Sequence, residues 1–311
     1  MSQVPHRARN EMESIMKAHL PALTPVRLLG LLFASAATIG TLAAHAADQA
    51  TPRPEPVPFV APRNSDMPAG PEGELIDYGR RLMVETRRLL PNNVGAAMNC
   101  TSCHLGEAKV PFASPFVGIS HRFPQYNPRA NRVVTLEDRV NGCMMRSMNG
   151  KPLDKRSREM AAMIAYMDWL SEDIPEHGLV QGMGIGKVDT TLVPDMENGR
   201  RIYVAQCASC HGAEGQGLQD AAGEFIFPPL WGDLSFNIGA GMARLYKAAE
   251  FVKTSMPVGV HTDGRLGQGY VLSDQEAVDV AGYFTHQPRP DFPAKVNDWP
   301  DPSKRPKDAR Y

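Results

Sequence analysis

The chain has 311 residues, of which 42% are hydrophobic, so it is long enough for two domains that each bury a core. This composition excludes disorder along the whole chain. The 33 basic and 34 acidic residues give a net charge of -1, which leaves no basic excess for binding a nucleic acid backbone.

The N-terminus carries the pattern of an export signal. An apolar run at 28–44 follows several basic residues and ends in Ala44-His45-Ala46, a small-x-small cleavage pattern. An uncleaved membrane anchor is the alternative interpretation, although the run is close to the lower length limit for a span. We predict that residues 1–46 form a signal peptide cleaved near Ala46/Ala47, and that the mature protein is periplasmic without stable membrane insertion.

The rest of the chain is organised as two similar halves. Residues 47–72 are rich in proline and lack periodicity, which is typical of an extended surface arm. Helical periodicity and capping patterns then predict helices at 74–90, 135–148, 157–170, 196–206 and from 273 onward. The sequence therefore predicts an all-α fold with a first domain at 73–175, a linker at 176–194, a second domain at 195–290 and a C-terminal tail at 291–311.

Each half contains one Cys-x-x-Cys-His sequence. The first comprises Cys100, Cys103 and His104, and the second comprises Cys207, Cys210 and His211. This is the attachment signature of c-type haem, in which both thiols form thioethers and the histidine becomes an axial iron ligand. A redox dithiol or a zinc site would need a thioredoxin-like pattern or further ligands nearby. We predict two class I cytochrome c-like domains, each with one covalently bound haem c.

The second axial ligand of each haem is less directly encoded. In the second half, Met256 precedes a proline outside any predicted helix, which resembles the Met-Pro loop of class I cytochromes c. We predict Met256 as the ligand, with Lys253 and His261 as alternatives.

The first half has no Met-Pro loop, but it contains the fifth cysteine, Cys143. An unpaired thiol is hazardous in an oxidising compartment unless it is used, so we predict that Cys143 ligates the first iron. The alternatives are Met144, Met145 and Met148, or a Cys143 that merely fills the core.

Arginines are concentrated around this cysteine, at positions 122, 129, 132, 139 and 146. A solvated basic face is the usual meaning of such a run. However, Arg139 and Ser147 lie four residues before and after Cys143, on the same helix face. Because guanidinium groups suit anions with several oxygens, we predict an anionic substrate.

The residues around these motifs resemble a known family. The stretches CTSCHLGEAKVPFASPFVG, FPQYNPRANRVVTLEDRVNGCMMRSMNGKPLD and SREMAAMIAYMDWL are similar to the two-haem thiosulfate dehydrogenases of the TsdA type. The resemblance implies His and Cys ligands for the first haem, at His104 and Cys143, and His and Met ligands for the second, at His211 and Met256. It also implies that Arg129, Arg139 and Ser147 contact the substrate. Some members place a lysine just before the ligating methionine, where this chain has Ser255.

The activity implied by this resemblance is the oxidation of two thiosulfates to tetrathionate. Two electrons would then pass to an external acceptor, another cytochrome or a small redox protein. One alternative is a tetrathionate reductase that runs the reverse reaction, and another is a non-catalytic dihaem electron carrier.

Overall fold

The computed structural model describes residues 55–176, 178–259 and 269–311, and these residues are mainly helical. In chain order the helices are α1 (Pro71–Val84), α2 (Thr86–Leu89), α3 (Leu105–Ala108), α4 (Leu136–Arg146), α5 (Arg158–Trp169), α6 (Met196–Gln206), α7 (Ala208–His211), α8 (Leu245–Ser255) and α9 (Asp274–Thr285). Two short antiparallel pairs accompany them, β1 (Gln125–Asn127) with β2 (Arg132–Val134) and β3 (Leu218–Gln219) with β4 (Phe225–Phe227). The predicted all-α fold is therefore confirmed, and the described residues add two short hairpins to it.

The predicted export signal lies outside the described residues. None of the helices that the structure describes combines the length and apolarity needed to cross a membrane.

Local capping patterns placed the helix starts well. The Thr135 hydroxyl accepts a hydrogen bond from the backbone N–H of Asp138 at 3.3 Å, and the side chain of Ser273 caps α9 in the same way through Glu276. The helix ends were less accurate. The predicted helix at 74–90 is broken at Glu85, whose backbone leaves the helical region, and so becomes α1 and α2.

Helix α8 was not predicted from the sequence. Its N-cap residue, Arg244, provides no capping hydrogen bond from its side chain. Instead, the carboxylate of Asp308 in the C-terminal tail accepts a hydrogen bond from the backbone N–H of Tyr246 at 3.0 Å. The cap is thus supplied by a residue 62 positions away, which no local pattern reveals.

The two halves share a close crossing between their first and last long helices. In the first, α1 packs on α5, and a Cβ added at Gly79 would lie 2.0 Å from the carbonyl oxygen of Ala162. In the second, α6 packs on α9, and a Cβ at Gly199 would lie 2.1 Å from the carbonyl oxygen of Asp279. The internal duplication is therefore visible in the packing, because only glycine allows each helix pair to approach so closely.

The second half docks on the end of α4. The Asn237 amide donates to the carbonyl of Met145 at 2.8 Å, and the Asn237 backbone N–H donates to Arg146 O at 3.2 Å. A further hydrogen bond of 2.7 Å joins Ala97 N–H to Leu234 O. These contacts fix residues of the second half beside the helix that carries Cys143.

The proline-rich arm pairs with the linker. Val57 donates to Leu179 O at 2.8 Å and accepts from the Gln181 N–H at 2.9 Å. Most of the described arm is exposed, as predicted, but Pro56 lines a cavity beside the first Cys-x-x-Cys-His sequence.

Candidate active site

The first Cys-x-x-Cys-His sequence faces a cavity of about 580 Å³, here called the first cavity, which is lined by Cys100, Cys103 and His104. Thr86 holds this sequence in place, because its hydroxyl accepts from the Cys100 N–H at 2.9 Å and donates to the Cys100 sulfur at 3.3 Å. The His104 Nδ1–H donates to the carbonyl of Ser114 at 2.6 Å. That hydrogen bond leaves Nε2 available as a metal ligand.

The second Cys-x-x-Cys-His sequence repeats this arrangement. Cys207, Cys210 and His211 line the second cavity, of about 430 Å³, and the His211 Nδ1–H donates to Pro228 O at 2.9 Å. Burial lowers the pKa of His211, which favours the neutral imidazole that binds metals. None of the chain's five cysteines forms a disulfide. Both sites therefore have the thiols, the oriented imidazole and the cavity that a covalently attached haem requires.

The structure distinguishes between the candidate ligands of the second iron. Met256 lines the second cavity at the end of α8. Lys253 does not line it, and its Nζ forms an ion pair with Asp274 Oδ1 at 2.8 Å. His261 lies outside the described residues. Among the candidates that can be placed, the geometry favours Met256.

Cys143, on α4, lines the first cavity together with His104. Arg139, one turn earlier on α4, donates from Nη1 to the Cys143 sulfur at 2.9 Å. Burial opposes ionisation of Cys143, but the charge of Arg139 and a hydrogen bond from His104 outweigh it and lower the pKa of this thiol to about 6. By contrast, burial raises the pKa of Cys100 and of Cys103 to about 12. Cys143 is therefore held in a setting that stabilises a thiolate.

The methionines considered as alternative ligands of the first iron differ in their positions. Met144 and Met148 line the first cavity but belong to the core cluster, with 1% and 3% of their surface exposed. Met145 does not line the cavity. Cys143 has a guanidinium nitrogen of Arg139 at 2.9 Å from its sulfur, a contact that stabilises a thiolate, so Cys143 stays the favoured candidate.

A second opening, here called the cationic pocket, meets the first cavity. It has a volume of about 520 Å³ and shares with the first cavity the residues Cys103, His104, Ser114, Arg139, Cys143 and Ser147. Six basic residues line it, namely Arg129, Arg139, Arg146, Arg244, Lys247 and Lys304. The one acidic residue in its lining is Asp138, which is paired with Arg132 and Lys155. The Ser147 hydroxyl makes no hydrogen bond with the described residues. An oxyanion in this pocket would meet several cations beside the Cys143 sulfur.

Arg129 is held from several sides. Its Nη1 donates to the carbonyl of Gly239 at 2.7 Å, and its guanidinium carbon lies 4.6 Å from the centre of the Trp299 ring. Its Nε lies 3.8 Å from a carboxylate oxygen of Asp298. Burial lowers the pKa of Arg129 to about 10, so the side chain remains charged at neutral pH.

The other arginines of the cluster have different surroundings. Arg146 donates two hydrogen bonds to Asp298, at 2.7 and 2.8 Å, and Arg122 lines the first cavity. Arg132 lies at the surface and pairs with Asp138 at 3.1 Å. The structure therefore brings Arg129, Arg139 and Ser147 together at one pocket and leaves Arg132 outside it, and contact of these three residues with a substrate stays a prediction.

Several residues of the pocket were missed in the sequence. Trp299 and Lys304 lie in the C-terminal tail, beside the Asp298 that pairs with Arg129, and Arg244 lies just before the unpredicted α8. The tail has no periodicity or motif. Its aromatic residues, Phe292, Trp299 and Tyr311, were the available signal, because aromatic side chains in a polar tail indicate docking onto the fold.

Comparison with known proteins identifies two family matches in the chain. Residues 92–175 match the family described as SoxA/TsdA, cytochrome c domain, and residues 194–284 match Cytochrome C oxidase, cbb3-type, subunit III. The chain therefore contains two cytochrome c domains, each of which binds one covalently attached haem c.

Curated relatives cover most of the chain. A thiosulfate dehydrogenase from Psychrobacter arcticus is 44% identical over 87% of this chain and 79% of that protein. A thiosulfate dehydrogenase from Allochromatium vinosum is 42% identical over 83% of this chain and 92% of its own length. The solved thiosulfate dehydrogenase (TsdBA) from Marichromatium purpuratum aligns with a TM-score of 0.67 and 34% identity. That alignment covers 76% of this chain and 50% of the solved one, so this chain spans about half the length of that protein.

Proposed function

The chain belongs to the thiosulfate dehydrogenase family, and on that premise we propose that it oxidises two thiosulfates to tetrathionate and passes two electrons to an external acceptor. The observation that carries the proposal is the cationic pocket, which opens onto the pair formed by His104 and Cys143. A pure electron carrier would have no need for a recess lined by six basic side chains.

The reaction requires two dianions to approach until their terminal sulfurs meet. Their mutual repulsion is the main obstacle, and fixed cations reduce it while holding both anions in position. We assign this role to Arg129 and Arg139, with the Ser147 hydroxyl donating a hydrogen bond to a sulfonate oxygen. The charge of Arg129 persists at neutral pH, and Arg139 lies beside the Cys143 sulfur.

The two haems would be held by the residues that already face each cavity. Cys100 and Cys103 would attach the first haem, with His104 and Cys143 as its axial ligands. The corresponding residues for the second haem are Cys207 and Cys210 as attachment points, and His211 and Met256 as ligands. Bound haem iron supplies one-electron acceptance at each centre, so two centres match the two electrons of the reaction.

Electrons would leave through the second domain. Residues of the first domain between 97 and 105 line the second cavity, and Cys103 lines all three recesses. The rim of the second cavity includes the exposed apolar side chains of Ile226 and Val258. This side of the molecule is the one we propose for contact with a cytochrome or a small redox protein.

We also propose the chain organisation given by the sequence. The two family matches, at 92–175 and 194–284, support a domain boundary between them. Export to the periplasm through residues 1–46 rests on the pattern of basic, apolar and small residues alone.

A coupled assay tests the function directly. Purified dihaem protein should reduce ferricyanide only when thiosulfate is present, whereas a carrier would show no thiosulfate-dependent reduction. A second assay, with a reduced dye and tetrathionate, measures the reverse direction.

Cys143→Gly tests the site. We expect turnover to be lost while both haems remain attached, and the low-spin electron paramagnetic resonance signal of a His/thiolate haem to disappear. The matched control is Arg132→Gln, which removes an arginine of the same cluster outside the pocket and should leave turnover unchanged. Full activity in Cys143→Gly would contradict the proposed site.

A further inference from the structure

Arg244 is the one arginine of the cationic pocket whose guanidinium makes no hydrogen bond or ion pair with any described residue. Its Nε is buried without a partner. The other arginines of the pocket are engaged: Arg139 donates to Cys143, Arg146 to Asp298, and Arg129 to Gly239. A buried N–H group without a partner costs free energy, and an oxyanion bound in the pocket would supply the missing acceptor.

The position of Arg244 complements that of the residues already assigned. Arg139, which contacts the Cys143 sulfur, and Ser147, at the end of α4, belong to the first domain, whereas Arg244 belongs to the second domain. The positive charge of Arg244 also contributes to lowering the pKa of Arg129, so the two guanidinium groups repel each other. An oxyanion between them would relieve that repulsion and gain a hydrogen bond from each side.

The volume of the pocket allows two anions. A cavity of about 520 Å³ is in the range that holds a drug-sized ligand, so two five-atom anions fit side by side. Of the residues already assigned, Arg139 and Ser147 lie on either side of Cys143 along α4 and hold one dianion, and Arg129 holds the second. The second dianion still needs a further cation, because it carries two negative charges and Arg129 offers one positive charge.

We infer that Arg244 binds the second thiosulfate, so that the substrate site is completed by the second cytochrome domain. This inference rests on the proposed function. In the reaction, two S₂O₃²⁻ ions join through one new S–S bond, no bond breaks, and two electrons leave through the chain to the acceptor. The planar guanidinium of Arg244 can donate hydrogen bonds to two sulfonate oxygens in a bidentate arrangement, which a lysine ammonium at this position could not do.

Steady-state kinetics with ferricyanide test the assignment. In Arg244→Gln we expect the KM for thiosulfate to rise at least tenfold, with a smaller change in kcat, and in Arg244→Lys a rise between that of the glutamine variant and wild type. Tetrathionate, which carries both sulfonate groups, should bind the oxidised Arg244→Gln dihaem protein at least tenfold more weakly by calorimetry. The matched control is Arg200→Gln, a surface arginine of the same domain paired with Glu197, and its KM should stay at the wild-type value.

The possible outcomes separate the two proposals. If wild type reduces ferricyanide with thiosulfate and Arg244→Gln has an unchanged KM and tetrathionate affinity, the role of Arg244 is refuted and the proposed function stands. If wild type shows no thiosulfate-dependent turnover, the function itself is refuted. If Arg244→Gln does not yield dihaem protein, Arg244→Lys decides: a KM raised threefold or more supports the assignment, and an unchanged KM overturns it.

Discussion

Removing the charge of Asp298 should destabilise the protein strongly, because this carboxylate is the centre of the contact between the C-terminal tail and α4. Its side chain is only 4% exposed. It accepts two hydrogen bonds from Arg146, at 2.7 and 2.8 Å, and one from the Tyr311 hydroxyl at 2.6 Å. Arg129 lies 3.8 Å away. Asp298→Asn keeps the shape of the side chain and leaves two partly buried guanidinium groups without their counter-ion.

The expected size of this effect follows from the burial. Removing one partner of a buried ion pair costs about 3–5 kcal/mol. Each 1 kcal/mol lowers the Tm of a domain of this size by about 2–4 °C. Asp298→Asn should therefore lower the Tm of the dihaem protein by about 6–20 °C.

Thermal unfolding followed by circular dichroism measures this shift. The matched control is Asp291→Asn in the same tail, whose carboxylate pairs with Lys295 at the surface and is 63% exposed. Exposed pairs contribute about 0–1 kcal/mol, so this variant should unfold within a few degrees of wild type. If both variants unfold at the same temperature, the tail is not held by the buried carboxylate and the reasoning is wrong.

Two further predictions concern packing and pH. Gly79→Ala should lower the free energy of unfolding in urea by about 1–3 kcal/mol, because the added methyl group would overlap the carbonyl of Ala162 across the helix crossing. Gly142→Ala in α4, where a Cβ meets nothing within 4 Å, should instead raise the free energy of unfolding by up to about 1 kcal/mol. If both alanine variants change the free energy of unfolding equally, this account is contradicted.

Hydrogen bonds from Arg132 and Lys155 hold the pKa of Asp138 well below its ordinary value. The stabilisation from this ionised carboxylate is complete above about pH 4 and is lost as the pH falls. Asp138→Asn should therefore lower the Tm at pH 7 and make the Tm depend less on pH below about pH 4. If the Tm of the variant falls with acid as steeply as that of wild type, the pairing is refuted.

The cationic pocket is built from both cytochrome domains and from the C-terminal tail. Its lining comes from the first cytochrome domain, from Arg244 and Lys247 of the second, and from Trp299 and Lys304 of the tail. The second domain thus supplies charge to the pocket in addition to its own haem site. Changes in how the two domains dock are therefore expected to alter substrate affinity as well as electron transfer.

Much of the fold could be predicted from local sequence. The capping box at Thr135 and the one at Ser273 place their helices, because a capping hydrogen bond involves residues only three apart. The break at Glu85 and the whole of α8 were missed. Helix α8 depends on Asp308 of the tail, a contact between distant residues that leaves no mark in the local pattern.

The sequence by itself determined the covalent chemistry, since two thiols and a histidine at fixed spacing suffice to specify haem attachment. It also predicted a substrate role for Arg139 and Ser147 through helix spacing and family resemblance, and for Arg129 through the resemblance. Only the tertiary structure decided which distant residues hold the arginines of the cationic pocket in place. Arg129 donates to Gly239, 110 positions further along the chain, and Arg146 donates to Asp298, 152 positions further along. Contacts between residues so far apart in sequence are determined by folding of the whole chain rather than by neighbouring residues.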